Sequence, residues 1–133
     1  MSDDGQAQPA TGAEPLVLDR EFDAATLGGL REAVRAYAAA RGMSRGRATD
    51  VMLAVHELAA NAVRHGPGYG RLRMRVIART LRCEVSDPGE ASAGPWEVKE
   101  GHGLWLAGQT ADHMSVTTGP GGSRITLRFA LAG

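Results

Sequence analysis

Two rhythms of apolar and polar positions run along this chain, and the switches between them lay out its elements. Residues 16–22, LVLDREF, are short and apolar-rich and predict a first strand. From Thr26, a candidate N-cap, to Ala40, the spacing of Leu27, Leu30, Val34 and Tyr37 is helical, and Gly42 supplies a stop. Ser44 can cap a second helix over 45–65, with Val51, Val55, Leu58 and Ala62 as its core stripe and Met52, Ala59 and Val63 beside it. After Gly66-Pro67-Gly68 the period falls to two. Leu72, Met74 and Val76 alternate with Arg71, Arg73 and Arg75, and Leu81, Cys83 and Val85 repeat the pattern, so both stretches read as half-buried strands. A loop rich in Gly, Pro and Ser follows over 88–103. GLWLAGQTAD then predicts a short helix, and HMSVTTG and SRITLRFAL predict a closing antiparallel pair about Gly119-Pro120-Gly121-Gly122. This order implies an α+β two-layer sandwich, a mixed sheet with helices packed on one face. Residues 1–14 offer almost nothing to bury and are expected to form a disordered tail, leaving 15–133 as one domain.

Composition narrows the class. At 133 residues a single core is sufficient without disulfide or metal staples. The lone cysteine, Cys83, excludes a disulfide framework and a cysteine-rich zinc site, and it fits a reducing cytoplasm. Fifteen basic residues balance fifteen acidic ones, so no net field draws the chain onto nucleic acid or an anionic membrane. No run approaches ~18 apolar residues, and no apolar leader stands at the start, so a cytoplasmic protein without a membrane partner is expected. Arg71, Arg73, Arg75 and Arg79, with Arg82, Arg124 and Arg128, should project from the open face of the sheet. They form either a solvated surface interspersed with Glu84 or a surface for acidic groups or self-association.

The chemistry begins on the second helix. Glu57 and Asn61 lie one turn apart on one face, next to small Ala54 and Ala60, which leave room for a ligand. A carboxylate can polarise a hydroxyl or water nucleophile, and a carboxamide oxygen is a hard ligand for Mg²⁺. An isolated E-x-x-x-N also suits a solvated helix face. His56-Glu57 begins the zinc-protease pattern but has Ala60 where the second histidine is needed, so His56 reads as a packing or supporting group. Asp87-Pro88-Gly89 ends a strand. A carboxylate there can accept a hydrogen bond from the exocyclic amine of adenine, with Gly89 allowing close approach of the base; an ordinary turn is the other reading. Gly101-His102-Gly103-Leu104 opens a helix and can form a nest of amides for phosphate oxygens. Gly122-Ser123 and Thr126 on the last strand can add hydroxyl contacts or serve as hairpin and strand filler.

Taken in order, E-L-x-x-N-A, D-x-G, G-x-G-L and G-S-x-x-T resemble the GHKL ATPase superfamily of gyrase, heat-shock chaperone ATPases, MutL and histidine kinases, over about residues 15–131. The resemblance implies the Bergerat ATP-binding fold, with Glu57 and Asn61 in its N-box, Asp87 and Gly89 in its first glycine box, and Gly101, Gly103 and Leu104 in its second. ATP and Mg²⁺ are the implied cofactors. His102 stands where the family often carries arginine, and an imidazole serves a phosphate charge only when protonated. Glu90 to Glu100 forms a short lid with Trp96 as its bulky anchor. A stand-alone domain with an N-box ending NAVRHG looks most like the bacterial anti-sigma-factor serine kinases. That implies a sigma factor and an anti-anti-sigma, STAS-type protein as partners, a homodimer, and serine phosphorylation with Glu57 as catalytic group and Asn61 as metal ligand. A nucleotide-gated module that sequesters a sigma factor without phosphoryl transfer is the alternative. A detached histidine-kinase catalytic domain is a further one, disfavoured because no phosphoacceptor hairpin is present.

Overall fold

A computed structural model describes residues 17–88 and 103–131 of the chain. The expected tail at 1–14 lies outside the described residues, as does the lid expected over Glu90–Glu100. The elements are β1 (Leu18–Asp23), α1 (Leu27–Ala40), α2 (Arg45–His65), β2 (Tyr69–Ile77), β3 (Thr80–Asp87), α3 (Gly103–Thr110), β4 (His113–Gly119) and β5 (Gly122–Ala130).

Local chemistry accounts for most of the boundaries. Ser44 Oγ accepts the Arg47 amide at 3.2 Å and starts α2. Gly42, at φ +100°, ends the path of α1 in a conformation that side chains resist. At the start of α1 the expected cap is displaced by one turn. A 3-10 turn over Ala24–Thr26 precedes the helix, so Asp23 is the capping residue. Its carboxylate accepts the amides of Ala25 and Thr26, while Thr26 Oγ1 accepts the Asp23 amide at 2.9 Å. Thr26 itself makes no side-chain cap to α1. Ala78 and Arg79 turn β2 into β3 with φ of 51° and 64°, the left-handed pair that a two-residue hairpin demands.

The sheet runs β1-β2-β3-β5-β4. The sequence order suggested a mixed sheet, yet all four described ladders are antiparallel. The crossover through α3 does make β3 and β4 point the same way, as a single-helix connection requires. However, β5 inserts between them, so these two strands never share hydrogen bonds.

Alternation sorts the faces. Leu72, Met74, Leu81, Cys83, Val85, Ile125, Leu127 and Phe129 are buried on the side that receives the helices. Helix α2 lies on β2 and β3 and packs against both α1 and α3, with Val51, Val55, Leu58 and Ala62 fully buried. Burial pushes the Cys83 thiol well above its ordinary range, so it is an inert core group. The arginines of β2, β3 and β5 alternate to the other, open face, whereas Arg79 sits in the hairpin turn.

One polar cluster ties the layers together at the sheet end remote from Asp87. Asp112 accepts the Ala130 amide at 2.7 Å and an Arg47 guanidinium N–H at 3.3 Å. Arg47 also donates to the Ala130 carbonyl and lies over the Phe129 ring. The Ala130 amide and, beyond it, Arg47 hold the Asp112 carboxyl below its ordinary 3.8, against the opposing effect of burial.

Two outcomes follow. Leu58→Ala should lower stability by about 2–5 kcal/mol, read as a shifted urea midpoint at unchanged slope. Because the native pKa of Asp112 is depressed, its contribution is present above 3.8 and is lost as pH falls through the native value. Asp112→Asn should therefore flatten the acid limb of the stability profile and leave its shape near neutrality unchanged.

Candidate functional site

The last turns of α2 reach the sheet at the end where β2 begins. His65 closes the helix, the amides of Gly66 and Gly68 both donate to the Ala62 carbonyl at 3.1 Å, and Tyr69 pairs at once with Asp23. This short return holds Asn61 close to that end. Asn61 is 2% exposed, Glu57 one turn earlier is half-buried, and Ala54 and Ala60 beside them are buried. The sequence thus buries a carboxamide among alanines, which sets this face of α2 apart from a merely solvated one. His56 turns to a different flank. Burial, then the positive charges of Arg31 and Arg64, hold its imidazole below the ordinary 6.5, with Glu57 opposing them. It stays neutral at neutral pH and behaves as a packing group.

Asp87 is the last residue of β3 and is 6% exposed. Register sets it directly opposite Ser123, which in turn faces Thr118. Both Asp87 and Ser123 fall on the helix-facing side, continuing the alternation of Val85 and Ile125. Ser123 is 4% exposed, and its hydroxyl has no hydrogen-bond partner among the described residues. Gly122 presses on this pair from behind. At φ +123°, an added Cβ would stand 2.1 Å from the Asp87 carbonyl oxygen and 2.9 Å from Pro88 Cα. Only a residue without a side chain lets the two strand ends close on each other here.

Thr126 does not join them. Three residues from Ser123 is an odd step along a strand, so the pleat turns Thr126 to the open face, between Glu84 of β3 and Ser115 of β4. The expected hydroxyl contribution from Thr126 is corrected accordingly; the G-S-x-x-T pattern supplies only its serine to this end.

Helix α3 completes the setting. It packs on α2, begins with Gly103 and Leu104, and has its C-terminal end fixed far from Asp87, where the Asp112 amide donates to the Arg128 carbonyl. Gly89, Gly101 and His102 lie outside the described residues. A cavity of about 890 Å³ opens at the same sheet end, walled by Asp87, Pro88, Ser123, Gly122, Tyr69 and Thr118 among others. Its walls include neither Glu57 nor Asn61, and Glu21, Arg71 and Arg124 carry it around the sheet end toward the open face. The cavity by itself therefore does not define a site joining all the candidate residues. Sequence reasoning missed Tyr69, and it named Gly122 only beside Ser123, without the close approach to the Asp87 backbone that its missing side chain permits.

Residues 21–129 match the family described as histidine kinase-like ATPase domain. The chain belongs to that family. In this histidine kinase-like ATPase domain the matched segment takes in both Glu57 and Asn61 on α2 and the Asp87–Ser123 pair on the sheet. The fold is also similar to the crystal structure of the RsbU and RsbW domains of Rv1364c from Mycobacterium tuberculosis. The TM-score is 0.70 and the identity 22%, over 87% of this chain and 32% of that one. The chain thus spans about a third of the length of that neighbour, and the likeness is one of fold. No curated protein matches the chain. Among the described residues no helix is long and apolar enough to cross a membrane.

Gly122→Ala should displace the Asp87–Pro88 backbone and cost about 1–3 kcal/mol. Thermal unfolding and the amide shifts of Asp87 and Ser123 check this; unchanged shifts would show that the contact with Asp87 is not limiting.

Proposed function

We propose that the chain binds ATP with Mg²⁺ at the sheet end that carries Asp87 and Ser123 and uses it to phosphorylate a serine of an anti-anti-sigma, STAS-type antagonist. A sigma factor is its other partner, and the homodimer expected from its relatives is the assembly in which it acts. The observation that carries the reading is the register pair Asp87–Ser123. It is a buried carboxylate beside a buried hydroxyl that has no hydrogen-bond partner among the described residues, held together by a glycine whose Cβ would strike the Asp87–Pro88 backbone, at the end to which α2 delivers Asn61. A buried hydroxyl is normally satisfied, and a purine bound here supplies a partner for Ser123 while its exocyclic amine lies within the reach of a carboxylate acceptor.

The residue roles follow from their chemistry. Asp87 accepts from the exocyclic amine of adenine and disfavours guanine, which presents a carbonyl oxygen there. Asn61 offers its amide oxygen to Mg²⁺. Among the described residues no group of three or more His, Cys, Asp or Glu side chains could hold a metal, and Mg²⁺ characteristically takes few protein ligands, completing its shell with phosphates and water. When bound, Mg-ATP supplies the transferable γ-phosphoryl group. Glu57, half-buried one turn before Asn61, orients the incoming seryl hydroxyl and accepts its proton. Gly101, Gly103 and Leu104 contribute backbone amides toward the phosphates, with His102 adding charge when protonated.

Calorimetry with Mg-ATP tests the site. Asp87→Asn and Asn61→Ala should each weaken binding by ~10–100-fold, the loss expected for a buried charge-assisted or metal-ligating contact. Glu57→Ala should retain affinity and abolish transfer of labelled phosphate to an antagonist domain. Affinity indifferent to Asp87→Asn would defeat the adenine role. Capture of a sigma factor without label transfer in the wild type would leave the nucleotide-gated binding module as the function.

A further inference from the structure

The open face of the sheet is unusually rich in arginine. Arg71, Arg73 and Arg75 project from β2, Arg82 from β3, and Arg124 and Arg128 from β5. The acids among them are shared. Asp19 takes Arg71 at 2.7 Å and Arg73 at 3.6 Å, and Glu84 takes Arg82 at 3.3 Å and Arg124 at 3.7 Å. Among the described residues no carboxylate pairs with Arg75 or Arg128, and Arg82 Nε is buried without a hydrogen-bond partner. A groove of about 240 Å³ runs across this surface, walled by Val17, Arg73, Arg75, Arg82, Glu84 and Arg124. It lies on the face of the sheet opposite to Asp87 and α2, and Arg124 is the one wall it shares with the cavity at the sheet end.

Charge along the chain is divided in a complementary way. Residues 1–16 contain Asp3, Asp4 and Glu14 and no Lys, Arg or His. Of the fifteen acidic residues in the whole chain, that leaves twelve against all fifteen basic ones in residues 17–133. Val17, where segment 1–16 joins the described fold, is itself a wall of the groove. The acidic segment therefore leaves the fold from within the arginine surface.

We propose that residues 1–16 dock on this open face, with Asp3, Asp4 and Glu14 taking the guanidinium groups that the fold leaves without a carboxylate. Reach is sufficient. Asp4 stands thirteen chain steps before Val17, an r.m.s. span of about 20 Å for a chain without fixed structure. Four interstrand steps across the sheet come to about 19 Å. Each exposed pair is weak and screened by salt, so the contact depends on the high effective concentration that the covalent tether provides. Any acidic ligand for this face must then compete with the chain's own segment.

The test uses the full chain with a nitroxide on Ser2→Cys; Cys83 is fully buried and does not compete for the label. The backbone amides of Arg75, Arg82 and Arg124 should lose most of their intensity at low salt and recover it at high salt or in Asp3→Asn/Asp4→Asn/Glu14→Gln. Arg75→Glu should give the same recovery from the other side of the contact. Mixing isotope-labelled chain without nitroxide with unlabelled chain bearing it separates the sources. Broadening in that mixture would mean that the segment reaches a second copy, and it would overturn the intramolecular assignment. Absence of broadening beyond Val17 and its immediate neighbours would overturn the docking altogether.

Discussion

Everything in this domain depends on the apolar stripe of α2 lying flat on β2 and β3. Val51, Val55, Leu58 and Ala62 are removed from water by that contact, and the helix is long enough that both its ends are put to use. Its first turn reaches the remote end of the sheet, where Arg47 joins Asp112, Ala130 and Phe129. Its last turns bring Glu57 and Asn61 toward the end where β3 and β5 present Asp87 and Ser123. A shift of this helix along the sheet would loosen both clusters together, which couples the stability of the core to the geometry of the candidate site.

The second constraint is the pleat. Strand alternation divides the molecule into two chemically distinct surfaces, and the division runs through single residues. Asp87 and Ser123 fall on the helix side with Val85 and Ile125, whereas Glu84, Arg124 and Thr126 fall on the other. Gly122 is what permits the register to continue to the very end of both strands, since its missing side chain is the space into which the Asp87 carbonyl fits. One face thus collects buried polar groups beneath helices, and the other collects arginines around too few acids. The two surfaces differ in chemistry, and Arg124, which walls both the cavity at the sheet end and the groove on the open face, is where they meet.

Much of this organisation was legible from residue order. The helical period over 45–65 and the alternation in β2, β3 and β5 are direct consequences of having one wet side and one dry side, and they located the elements to within a residue or two. The N-cap at Ser44 and the stops at Gly42 and Gly66 were legible for the same reason, because they act within one turn of the chain. Thr26 was misread as a cap because a 3-10 turn ahead of α1 let Asp23 take the free amides first. Thr126 was misread because the pattern was scanned as a motif, and a motif ignores which way an odd step along a strand turns its side chain.

By itself the sequence determined the identity and approximate limits of the elements, the buried side of each, and the set of residues with chemistry to offer, since those properties depend on neighbours a few positions away. Only the tertiary structure decided that β5 slips between β3 and β4 to make the ladders antiparallel, that Ser123 and not Thr126 stands opposite Asp87, and that Arg47 reaches Asp112 sixty-five residues later. Strand order and register are set by how the whole hydrophobic face closes at once. No short window of sequence contains that information.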